Sequence, residues 1–133
     1  MKKSLSEFVP EGKIRVMPNC LDYNRWRFDY YAPNDSLSFF YAGSPTHFDD
    51  NTYGDFPKGA VEYLKDKEVS IQGIKPWFLD TIHVYPWVDI DDYPTAFASN
   101  ALKCKFILTF IEDNYFGRCK SDLKYIESCA VGR

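Results

Sequence analysis

The sequence predicts an α+β domain, a mainly antiparallel β-sheet with one amphipathic helix packed against it, and three observations carry that expectation. Residues 101–111, A-L-K-C-K-F-I-L-T-F-I, form the longest stretch with a period of two. Leu102, Cys104, Phe106, Leu108 and Phe110 fall on one strand face, and Lys103, Lys105 and Thr109 fall on the other. Aromatic residues make up 18% of the chain, mostly Phe and Tyr, which favour strands. The elements follow the order strands, helix, strands, with an all-β sandwich carrying an inserted helix as the alternative.

Taken in order, Lys13 to Met17 alternates after a Pro-Glu-Gly turn and reads as a first strand. Arg25 to Tyr31 alternates again, with Trp26, Phe28 and Tyr30 on one face. The turn at residues 32–36, A-P-N-D-S, then pairs it as a hairpin with the aromatic strand Leu37 to Ala42. Residues 43–54 are a loop by composition. Asp55 offers an N-cap and Pro57 suits a first turn, with Phe56, Ala60, Val61 and Leu64 on one face of a helix running to Lys67. Glu68 to Ile74 and Thr81 to Tyr85 read as strands, the second stopped or held at a sheet edge by Pro86. Pro94 to Asn100 is a short helix that Asp92 can cap. Residues 101–111 become the central strand, returning after Glu112-Asp113-Asn114 as a hairpin through Tyr115 to Lys120. Asp122 to Cys129 suits either a last strand or a helical turn.

The 133 residues suit a single domain, residues 1–133, that buries roughly two thirds of its unfolded surface. The residues after Met1-Lys2-Lys3 leave no room for the apolar stretch of a signal peptide, and no run reaches the length of a membrane span, so a cytoplasmic location is expected. The cysteines Cys20, Cys104, Cys119 and Cys129 form no C-x-x-C pair. They read as reduced thiols, with Cys104 a small core residue. The net charge of -3 hides an uneven distribution: residues 29–100 hold twelve acidic and four basic side chains. Phosphate binding would be repelled over most of that length, which disfavours nucleic acid and favours a basic protein partner.

Candidate chemistry is sparse. His47 lies beside Asp49 and Asp50, and a histidine with acidic neighbours can act as a general base, but the only other histidine, His83, is far along the chain. Asp89-x-Asp91-Asp92 places oxygen ligands at alternate positions, yet Pro94 stands where a calcium-binding loop of the EF-hand type needs its glycine. No nucleophile signature or glycine-rich phosphate loop is present, and no cofactor or metal is called for.

What is left is acid beside aromatics, the composition of a protein-docking surface. The expected function is a non-enzymatic acidic binding protein that neutralises a protein partner, a basic toxin or nuclease domain. Asp49, Asp50, Asp55, Asp89, Asp91 and Asp92 would present charge, and Tyr53, Trp87 and Tyr93 would anchor the contact. In general physique the chain is similar to immunity proteins of bacterial toxin systems and to phage inhibitors of host defence, without a motif that assigns it to either. Two other readings stand beside this one: a small hydrolase-like enzyme using His47 or His83 with carboxylates, and a carbohydrate or small-ligand module stacking its ligand on Trp77 and Trp87.

Overall fold

The computed structural model describes residues 19–22, 24–26, 28, 38–43, 52–80, 82–111 and 123–132. Its centre is β1 (Ser38–Gly43), S-F-F-Y-A-G, buried at every position. A strand apolar on both sides needs a layer on each face, and the chain supplies both. After β1 come α1 (Lys58–Leu64), β2 (Glu68–Gly73), β3 (Ile82–Tyr85), α2 (Tyr93–Ala101), β4 (Phe106–Ile107) and α3 (Leu123–Ala130). The four strands make one sheet in the order β3-β2-β1-β4, and every pairing is parallel.

The register divides the core. Phe39 beside Val69 and Tyr41 beside Ile71 face α1, whose Val61 and Leu64 join them with Phe56, Phe78 and Leu79. Phe40 and Ala42 face α2, whose Phe97, Ala98 and Ala101 cover them together with Trp26, Cys104 and Val131. Burial of each large side chain contributes roughly 1.5–3 kcal/mol. The crossover from β2 to β3 turns at Leu79, whose N–H donates to the Pro76 carbonyl at 3.4 Å, and inserts Phe78 and Leu79 into the α1 face.

The expected antiparallel sheet with one packed helix, and its alternative of an all-β sandwich with an inserted helix, are therefore corrected, among the described residues, to one four-stranded parallel sheet with three helices. The chain returning from β1 to β2 is long enough to carry α1 over one face, which is what a parallel pair requires. Residues 101–111 are not the centre: Ala101 ends α2, and only Phe106 and Ile107 pair, at an edge. Phe106, placed by the alternation on a buried face, is exposed, whereas Cys104 is buried as expected. The strand expected from Arg25 begins instead in a turn, with the Arg25 and Trp26 N–H groups donating to the Asp22 carbonyl at 3.0 Å. Pro57, rather than Asp55, occupies the N-cap of α1. Asp92 does stand at the N-cap of α2, but its side chain makes no capping bond. The expected strands at Lys13 to Met17 and Tyr115 to Lys120 lie outside the described residues. Among the described residues no helix is long and apolar enough to cross a membrane.

Candidate functional site

In an open parallel α/β sheet the ligand-facing side is the carboxyl end of the strands, near the point where strand order reverses. Here β2 and β3 lie to one side of β1 and β4 to the other, so the reversal falls at β1 and β4. The carboxyl ends of β1 and β2 close tightly. Gly73 has φ +121°, and a Cβ there would collide with the Gly43 carbonyl oxygen and meet the Trp87 ring, so only glycine fits.

The chain leaving β3 carries the acidic rim. Asp89 opens it as a turn, its carbonyl accepting from the N–H groups of Asp92 at 3.1 Å and Tyr93 at 3.0 Å. Arg25 clamps the loop from outside: its guanidinium donates to the carbonyls of Ile90 at 3.0 Å and Asp91 at 2.6 Å, and to Asp91 Oδ1 at 3.4 Å. The clamp leaves the rim exposed, with Trp87 54% and Ile90 78% accessible and Asp89, Asp91 and Asp92 in solvent. Trp87 leans on Tyr93, with ring centroids 5.8 Å apart. Leaving the neighbouring strand β2, Trp77 is equally exposed. It stacks on Tyr53 at 5.8 Å and donates its indole N–H to the Thr52 carbonyl at 3.3 Å. Both tryptophans are thus held by packing and still offer a face, as an interface anchor requires.

Beneath the rim lie polar groups that sequence reading missed. Tyr93 donates its hydroxyl to Glu127 Oε2 at 3.3 Å, and Glu127 is only 5% exposed. Burial pushes the Glu127 carboxyl up to about 7 against the opposing pull of the Tyr93 hydrogen bond and the Lys124 charge. Burial, with Glu127 alongside, also raises the Tyr93 hydroxyl. On the α1 face, Lys124 donates to the Tyr41 hydroxyl at 3.1 Å and lies 4.3 Å from the centre of that ring. Burial and the Asp55 carboxylate raise the Tyr41 hydroxyl. Gln72, fully buried on β2, makes no side-chain hydrogen bond from either amide atom among the described residues.

Of the residues singled out from sequence, Trp87, Asp89, Asp91, Asp92 and Tyr93 come together in one loop and helix start. Tyr53 is half-buried beside Trp77, and Asp55 is buried, close enough to Tyr41 to act on its hydroxyl rather than on a partner. Asp49, Asp50 and His47 lie outside the described residues. His83 is exposed on the edge strand β3, its ring 4.4 Å from that of Tyr85. Among the described residues no three His, Cys, Asp or Glu side chains converge as metal ligands.

Glu127 carried no local signal: Leu123, one turn before it, is exposed, and the burial of Glu127 depends on its long-range contact with Tyr93. Gln72 was legible only as a polar residue inside an otherwise strand-like run. Comparison with family models, with curated proteins and with solved structures returned no match.

Proposed function

We propose that this chain is a non-enzymatic binding protein that captures and neutralises a basic protein partner, such as a toxin or nuclease domain, at the carboxyl-end rim of its sheet. The observation that supports this reading most is the composition of residues 87–93. Exposed Trp87 and Ile90 alternate with the solvent-facing carboxylates of Asp89, Asp91 and Asp92, on a loop already held in one shape by Arg25. Preorganisation lowers the entropy a partner must remove on docking. Exposed carboxylates steer a basic partner and raise its association rate, while the tryptophans supply apolar area to desolvate. Trp77, on the adjacent strand exit, extends the same kind of surface. Asp55 leaves the docking set because it is buried.

The half-exposed faces of Trp77 and Trp87 also favour the second reading, stacking of a carbohydrate ring. Salt separates the two, since a neutral sugar is indifferent to ionic strength and a charge-steered complex is not. The test is capture from cell lysate by the tagged protein at low and high salt, compared with a variant carrying Asp89→Asn, Asp91→Asn and Asp92→Asn together. A stoichiometric protein retained by wild type, weakened by salt and lost in the variant supports the proposal. Empty capture at both salts, or capture indifferent to the three substitutions, contradicts it.

A further inference from the structure

The C-terminal helix α3 meets the rest of the protein in an unusual way. It reaches both faces of the sheet at the same end, because Lys124 bonds Tyr41 on the α1 face while Glu127 bonds Tyr93 at the start of α2. Its apolar anchors in the described core are Ala130, its last residue, and Val131, just past the helix end, both against the α2-face cluster with Trp26. Eight residues are too few for a helix to stand alone in water, so α3 depends on these contacts. Two of them are polar, and one places a carboxyl group out of water.

We propose that α3 is an acid-tightened latch over the carboxyl end of the sheet: protonated Glu127 seats it against Tyr93, and loss of that proton releases it. Among the described residues the hydrogen-bond partner of the buried Glu127 carboxyl is the Tyr93 hydroxyl, too little to replace the hydration of a carboxylate, whereas a neutral carboxyl needs far less solvation there. The ionisable groups acting on Glu127 among the described residues are Tyr93 from α2 and Lys124 from its own helix. From β1 the facing group is Tyr41, already engaged by Lys124. Tyr93 stays protonated and remains a donor throughout the neutral range, so it does not drive the change. Lys124 favours the carboxylate, but burial outweighs it.

Seated, Glu127 holds its proton to about 7; released, it behaves as an ordinary glutamate near 4.5. The seated state therefore binds more protons between those values, and the seating constant falls by on the order of tenfold to a hundredfold from pH 5 to pH 8. The latch stands whether or not the neighbouring rim docks a partner, because its readout needs none.

The experiment follows the Val131 methyl resonances and the exchange protection factors of the α3 amides by NMR from pH 5 to pH 8. In wild type both are expected to move toward unstructured values on the alkaline side, with a midpoint near neutrality, while the β1 and β2 amides keep their protection. Glu127→Gln should hold α3 constant across the range. Tyr93→Phe, which removes a hydrogen bond made only by the seated helix, should weaken seating across the range and move the release midpoint to lower pH. A pH-independent α3 in wild type overturns the proposal, as does a Glu127→Gln protein that titrates as wild type does.

Discussion

Gln72 offers the sharpest test of the packing. It sits on β2 between Ala42 of β1 and Tyr85 of β3, with no exposed surface and, among the described residues, no hydrogen-bond partner for Oε1 or Nε2. A buried polar group left unsatisfied costs about 1–3 kcal/mol. Methionine has nearly the same shape and no amide, and its flexible thioether adapts to the space. Gln72→Met should therefore stabilise the protein by about 1–3 kcal/mol, the lower end applying where the sulfur fits less closely than the amide. In a chain of this length that corresponds to a rise in Tm of roughly 3–9 °C. Urea unfolding followed by tryptophan fluorescence reads the effect as a higher midpoint at unchanged slope. A lower midpoint would refute the reasoning.

Four further outcomes follow from the same contacts. Gly73→Ala should destabilise by about 3 kcal/mol or more in the same urea assay, because it forces a Cβ against the Gly43 carbonyl at a φ that side chains rarely adopt. Phe40→Ala, which empties a fully buried position between Phe97 and the sheet, should cost about 3–5 kcal/mol. Glu127 has a folded value, about 7, above its unfolded value of 4.5, so its contribution is complete below pH 4.5 and is lost as pH rises through 7. The unfolding free energy should fall over that window by up to about 3 kcal/mol in wild type and stay flat over it in Glu127→Gln. Arg25→Gln, which removes the clamp on an exposed loop, should cost at most about 1 kcal/mol in stability while raising amide exchange across residues 89–92.

Sequence reading located most of the described elements and misjudged how they assemble. The strands at Leu37 to Ala42, Glu68 to Ile74 and Thr81 to Tyr85, the helices after Asp55 and Asp92, and the edge position imposed by Pro86 all have counterparts in the structure within a few residues. Those signals are local: turn formers, caps and apolar runs. The parallel pairing was not legible, because direction is set by what covers each strand. The run S-F-F-Y-A-G, buried on both sides, was the clue that a layer lies on each face. The alternation of residues 101–111 misled for the opposite reason: a helix end, a turn and a two-residue edge strand share a period by chance. At the rim, acid and tryptophan within seven residues were visible directly in residues 87–93. Arg25, Glu127 and Lys124 were not, because their roles depend on long-range contacts to Asp91, Tyr93 and Tyr41.

The docking claim is tested most directly by oxidative footprinting of the tryptophans and neighbouring side chains, with and without the captured partner. Protection of Trp87 and Trp77, with Tyr63 on α1 and Val84 on β3 still reactive, is the predicted result. Protection of Tyr63 or Val84 while Trp87 remains open would place the interface on another face and contradict the account.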